Sequence, residues 1–96
     1  MNWQTFKESL ENNDPPEGLP PLLLALWHEG KDDWNRAHNI AQDVENADGY
    51  WVHAYLHRVE GDSWNANYWY RRAGRSMPGY SLKQEWEELV KYFCSI

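Results

Sequence analysis

The sequence is short of cysteine, of long apolar runs and of basic residues. Cys94 is the only cysteine, so no disulfide can form within the chain, and a reducing compartment is compatible with this. The longest apolar run, Leu22 to Trp27, is far shorter than the roughly 20 residues that a membrane span requires. The first residues contain no basic region followed by an apolar run, which argues against a secretory signal. We therefore expect a cytoplasmic protein with no membrane partner.

Positive charge is also scarce, because nine Lys and Arg face 15 Asp and Glu, giving a net charge of −6. Binding to nucleic acid depends on neutralising phosphates with a basic surface, so this balance argues against a nucleic-acid partner. The sequence contains no Gly-rich phosphate loop and no serine nucleophile motif. We expect no cofactor and no catalytic residue.

Aromatic residues, in contrast, are abundant, with seven Trp and six Tyr among 96 residues. Such side chains bury large areas but keep a polar edge that needs a partner. We expect some of them to lie half exposed, at grooves or interfaces.

Apolar residues recur at helical spacing along the chain, and no stretch alternates in the manner of a strand. Trp3, Phe6 and Leu10 predict a first helix, and the run from Leu22 to Glu29 predicts a second, which Gly30 ends. The pattern predicts an all-α fold of about six helices in one domain over residues 1–96. Its parts are an N-terminal helix (1–12), a first helix pair (19–46), a second helix pair (47–80) and a closing helix (81–96).

Capping residues support these boundaries. Asp33 is a good N-cap for the third helix, and Ser81 with Gln84 forms a capping-box pattern at the start of the last helix. That last helix carries an apolar stripe opposite a polar face, so the acidic groups Glu85, Glu87 and Glu88 are expected in water.

The two helix pairs have the spacing of a repeat. Glu29-Gly30 corresponds to Glu60-Gly61, with two extra residues in the first turn. The second copy has small and aromatic residues at regular places: Tyr50, His53, Ala54, His57, Gly61, Ala66, Tyr70, Ala73 and Pro78. In these positions it resembles a tetratricopeptide repeat, although His53 and His57 replace the usual aliphatic and aromatic residues.

The first copy is degenerate, with Leu19, Leu22, Leu23, Leu26, Ala37 and Ala41 in the corresponding places. The resemblance covers about two thirds of the chain and implies stacked antiparallel helix pairs. The segment around the second turn also resembles one from small bacterial proteins of unassigned activity. Neither resemblance implies a catalytic residue.

In stacked helix pairs, the first helix of each pair lines a concave face. This places one set of side chains in a candidate groove for a protein or peptide: Trp27, His28, Trp51, Tyr55 and Arg58. The aromatics would supply contact area, and the cation would pair with a carboxylate. The alternative is that the first and last helices cover this face and that the aromatics are core residues.

Two further constellations have open interpretations. Arg71, Arg72 and Arg75 form a candidate anion site, or else a solvated helix end. His53 and His57 lie one helical turn apart, a spacing that can hold zinc, but a third ligand is missing from the motif, so the structural interpretation is favoured.

The leading function is a noncatalytic interaction module for a protein or peptide, with a homodimer as a further expectation. The alternative is a small-ligand, anion-binding or enzymatic site built on His53, His57 and Arg58. Cys94 is not a candidate nucleophile, because a chain end is a poor scaffold for a base.

Overall fold

The computed structural model describes all 96 residues and contains six α-helices and no strand. The helices are α1 (Trp3–Ser9), α2 (Pro21–Gly30), α3 (Trp34–Ala41), α4 (Ala47–Val59), α5 (Ser63–Arg72) and α6 (Leu82–Cys94). The predicted all-α class with about six helices is confirmed. The third helix ends at Ala41, so Val44, which continues its apolar spacing in the sequence, lies beyond the helix.

Short polar side chains start five of the six helices. Each accepts a hydrogen bond from a backbone N–H in the first turn of its helix: Asn2, Asp33, Asn46, Asp62 and Ser81. The predicted capping box is present, since Ser81 and Gln84 bond each other's backbone N–H groups. α2 begins with Pro21 instead, whose missing N–H costs nothing at that position.

The turns within the two helix pairs have the same geometry. The N–H of Asp33 donates to the His28 carbonyl, and the N–H of Asp62 donates to the His57 carbonyl, both at 2.9 Å. The residue before each capping Asp has a positive φ, 62° at Asp32 and 85° at Gly61. Equivalent residues are therefore 29 positions apart throughout, and the two extra residues predicted in the first turn are absent.

The error came from Gly30, which is the last residue of α2 and not its stop signal. A Cβ at Gly30 would lie 3.0 Å from the Trp86 ring and 3.1 Å from the Leu10 side chain. The glycine therefore lets α6 and the end of α1 approach α2 closely, while Asp32 takes the left-handed position that ends the turn.

The core lies where α2 and α4 pack under α6. α4 contributes Val52, Ala54 and Leu56, which have no exposed surface, and α6 contributes Leu89 and Val90 in the same state. α1 packs against α6 at the edge of this core, where the Trp3 and Trp86 ring centroids are 5.8 Å apart. None of the six helices has both the length and the apolar character needed to cross a membrane.

Candidate functional site

The face predicted as a partner groove is filled in the structure. Four of its five side chains have at most 8% of their surface exposed: Trp27, His28, Trp51 and Tyr55. From α6, Phe93 packs against Trp51 with ring centroids 6.2 Å apart, and from α1 the Ser9 hydroxyl accepts from the Trp27 indole at 3.1 Å. The closing helices cover this face, so these side chains belong to the core and no open groove is formed.

The fifth groove residue, Arg58, is bonded to a buried carboxylate. Its guanidinium lies 2.9 Å from Oε1 of Glu85 and also donates to the Tyr80 carbonyl. Glu85 is 1% exposed and accepts further bonds from the Tyr70 hydroxyl at 2.7 Å and the Trp51 indole at 3.2 Å. The expectation that Glu85 faces water is wrong, because three donors from α4 and α5 satisfy its charge inside the protein.

We call Glu85, Arg58, Tyr70 and Trp51 the Glu85 cluster. No buried polar side-chain atom of the protein lacks a hydrogen-bond partner, so this network is complete. Burial raises the pKa of the Tyr70 hydroxyl, and its hydrogen bond to the Glu85 carboxylate raises this pKa further. Tyr70 therefore remains a donor at any physiological pH.

The structure does not bring Arg58 together with His53 and His57. At 100° per residue, Arg58 lies about 100° from His57 and about 140° from His53 around α4, so it is on a different face of the helix. The histidines meet instead with His38 of α3, and we call these three the histidine cluster. Their ring centroids are 4.7 to 5.3 Å apart, and one ring nitrogen from each lies within 4.8 Å of the others.

Within the histidine cluster, Nε2 of His38 lies 3.0 Å from Nε2 of His53. His57 uses Nδ1 to bond a carboxylate oxygen of Glu60 at 2.7 Å. Two indoles enclose the rings, with Trp34 stacked on His38 at 4.8 Å and Trp69 stacked on His53 at 4.1 Å between centroids. The three imidazoles thus form an aromatic-walled group between the two helix pairs.

Burial removes the charged form of two of these rings. Desolvation, followed by repulsion from His38 and His57, lowers the pKa of His53 from 6.5 to about 4. Desolvation also lowers the pKa of His38, with His57 adding to the effect and Glu60 opposing it. Both rings are neutral at pH 7, which is the form that binds metals.

The sequence pointed to His53 and His57 but missed His38 as their neighbour. His38 lies on α3, which packs against α4 and brings the His38 ring to those of His53 and His57. This contact joins helices of different pairs, so no spacing within a single helix indicates it.

The three arginines of the candidate anion site lie on the α5 side of the molecule. Arg72 lies over the Tyr50 ring at 4.5 Å, and Arg75 lies over the Trp51 ring at 3.4 Å. Arg71 is exposed and has no hydrogen-bonding side chain beside it. None of the three forms an ion pair with a carboxylate, although acidic residues outnumber basic ones in the chain.

α5 also carries the most exposed indole of the protein. Trp64 is 74% exposed, and its ring stacks on that of Tyr68, which is 38% exposed, at 6.3 Å and an interplanar angle of 11°. Helical spacing continues this stripe to Arg71, with Arg72 beside it. We call Trp64, Tyr68, Arg71 and Arg72 the α5 surface.

Two other features are poor sites. Burial raises the pKa of the Cys94 thiol, which keeps it in its unreactive protonated form. The largest cavity, about 330 Å³, lies between the start of α2 and the end of α6 and is lined mainly by apolar groups such as Leu23 and Phe93. Neither the histidine cluster nor the arginines border it.

No family model, no curated protein and no solved structure matches the chain. The tetratricopeptide-like assignment accordingly stays a prediction, based on residue spacing.

Proposed function

We propose that this chain is a noncatalytic interaction module that binds an acidic segment of a partner protein on its α5 surface. The observation that carries the proposal is Trp64, an indole with three quarters of its surface in water on a well-formed helix. A small domain buries most of its large apolar groups, and this one leaves the Trp64 indole in water.

The composition of the surface supports a protein partner. Trp, Tyr and Arg are the residues most enriched at the energetic centres of protein interfaces. Here all three types adjoin on one helix face, and the Trp64 and Tyr68 rings are already stacked, so little conformational entropy is lost when they are covered.

Charge complementarity defines the class of partner. Arg71 and Arg72 have no carboxylate of their own chain to neutralise them. A carboxylate from outside would be bound by a guanidinium in bidentate fashion, next to an aromatic ring that excludes water. The proposal therefore specifies Asp- or Glu-containing peptide, presented beside an apolar residue that covers Trp64.

The test is selection from a displayed peptide library, followed by affinity measurement with purified peptides. We expect enrichment of acidic peptides that lose at least about 10-fold in affinity for Trp64→Ala and for Arg71→Glu. Arg36→Glu is the matched control, because Arg36 is exposed on α3 and pairs only with Asp33. Peptides in which Glu is replaced by Gln should bind more weakly, and raising the salt concentration should weaken the acidic peptides selectively.

Two results would contradict the proposal. One is enrichment of peptides without acidic residues, and the other is equal affinity for wild-type protein and Trp64→Ala. A second copy of the chain is the competing occupant. Sedimentation velocity would reveal it as a dimer that dissociates in Trp64→Ala, and that result would replace the peptide by self-association.

A further inference from the structure

We propose that His38, His53 and His57 together bind one divalent transition-metal ion, Zn²⁺ being the first choice. The site would join the two helix pairs, because His38 belongs to α3 and the other two ligands belong to α4. The three ligands share no residue with the proposed α5 surface.

The spacing of the nitrogens is close to that of a metal site. Two imidazole nitrogens bound to one Zn²⁺ at about 2.0–2.1 Å in tetrahedral geometry lie roughly 3.3 Å apart. Nε2 of His38 and Nε2 of His53 are 3.0 Å apart, and a nitrogen of His57 lies within 4.8 Å of both. His53 and His57 come from one helical turn, so the backbone fixes two of the three ligands on one face.

A carboxylate orients the third ligand. Nδ1 of His57 is 2.7 Å from Oε1 of Glu60, and a carboxylate oxygen can only accept, so Nδ1 carries the proton. The lone pair of His57 is then on Nε2, the other ring nitrogen. Histidine ligands in proteins generally donate their second nitrogen to such a group, which fixes the tautomer and strengthens the ligand.

The surroundings hold the rings without competing for the ion. The Trp34 indole N–H is bound to the Leu56 carbonyl at 2.6 Å, which fixes the ring that stacks on His38. The Trp69 ring stacks on the His53 ring. Asp62, which lies near His57 and Glu60, is engaged in capping α5 through Asn65 and is therefore outside the ligand set.

The donor set determines the class of metal. Three imidazoles suit Zn²⁺, Cu²⁺, Ni²⁺ and Co²⁺, whereas Mg²⁺ and Ca²⁺ require oxygen ligands. Without the ion, the short Nε2 contact between His38 and His53 needs a proton on one of these nitrogens. When the metal binds, the ring that carries this proton holds it on Nδ1 instead. Nε2 of His38 and Nε2 of His53 then each present a lone pair to the metal.

The experiment is calorimetric titration of the chelator-treated, untagged protein with zinc chloride, together with the visible spectrum of its Co²⁺ complex. We expect one ion per chain with a Kd of about 1 µM or tighter, and a tetrahedral Co²⁺ spectrum. His38→Gln and His53→Gln should each weaken binding by at least about 10-fold, and Glu60→Gln by about 10- to 100-fold.

His28→Gln is the matched control, because His28 is buried to the same degree as His53 but lies outside the cluster. Its affinity for zinc should equal that of the wild type. Glu60 is partly exposed, so Glu60→Gln retains the fold even if a histidine variant does not. No binding of zinc by the folded wild type, or equal affinity in Glu60→Gln and wild type, would overturn the proposal.

Discussion

Two polar clusters lie on different faces of α4, and aromatic side chains take part in both. In the Glu85 cluster, one carboxylate is matched by three kinds of donor: a guanidinium, a hydroxyl and an indole N–H. In the histidine cluster, three rings of the same kind face one another, and the carboxylates of Glu60 and Asp62 lie at its edge, beside His57.

The two clusters differ in how their polar atoms are paired. The Glu85 cluster has a donor for each acceptor, so adding any ligand would break a bond that exists. In the histidine cluster, one ring nitrogen from each of three imidazoles lies within 4.8 Å of the others, and the contact between His38 and His53 is the only hydrogen bond among the three rings. The paired polar groups of the Glu85 cluster therefore indicate a role in stability. The three imidazole nitrogens that face one another in the histidine cluster indicate a role in binding.

The largest predicted effect concerns the Glu85 cluster. Glu85→Ala leaves the Arg58 cation and the Tyr70 hydroxyl without their buried partner, so we expect the free energy of unfolding to fall by about 3–5 kcal/mol. Urea denaturation measures this change. Glu87→Ala is the control on the same helix, since Glu87 is 41% exposed, and it should change stability by less than about 0.5 kcal/mol. Equal effects in the two variants would show that the cluster does not stabilise the fold.

A smaller effect is predicted within the same cluster. Tyr70→Phe removes a hydroxyl that lies 2.7 Å from both oxygens of Glu85 but leaves the Arg58 ion pair in place. Hydrogen bonds to charged groups contribute about 1.5–3 kcal/mol, so we expect a loss in that range. Tyr92→Phe on α6 is the control, because Tyr92 is 36% exposed and its hydroxyl forms no hydrogen bond within the protein. A Tyr70→Phe protein as stable as wild type would contradict the view that the network is complete.

The histidine cluster should respond to pH in the metal-free protein. The folded-state pKa of His53 is about 4, and its ordinary value is 6.5. Between these values the unfolded chain binds a proton that the folded chain does not, so stability falls as the pH drops from 6.5 to 4. Above pH 6.5 this group has no effect. The loss should amount to about 1–3 kcal/mol.

His53→Phe isolates this contribution, because phenylalanine can keep the stacking on Trp69 and cannot bind a proton. All other ionisable groups are present in both proteins, so the difference between the two stability curves reports on His53 and on its coupling to the neighbouring rings. Urea denaturation at several pH values provides these curves. Curves that run parallel through the window from 6.5 to 4 would contradict the lowered pKa.

Local signals explain why the helices could be predicted and the clusters could not. The caps Asp33, Asp62 and Ser81 act within three residues of their own positions, so their effect can be read along the chain. The burial of Glu85 depends on Arg58, which lies 27 residues away in the sequence. The spacing of apolar residues along α6 does not predict this contact. His38 likewise reaches His53 only because α3 packs on α4.

The groove was a more instructive error. Spacing placed Trp51 and Tyr55 correctly on one face of α4, but it could not show that α6 covers that face. The most exposed aromatic side chain, Trp64, is on α5 instead, and the sequence pattern did not single it out. Amphipathic pattern shows which residues share a face, and only packing shows which face stays open.

The smallest predicted effect concerns the α5 surface, which serves as a reference outside both clusters. Trp64 is 74% exposed and Trp51 is 3% exposed, yet both are indoles on helices of the same helix pair. Trp64→Ala should therefore change the free energy of unfolding by less than about 0.5 kcal/mol, while Trp51→Ala should cost about 3–5 kcal/mol through the cavity and the lost bond to Glu85. Urea denaturation of the two variants tests this difference. A costly Trp64→Ala would mean that its stacking on Tyr68 supports the fold, and the argument that this indole is kept exposed for a partner would then lose its basis.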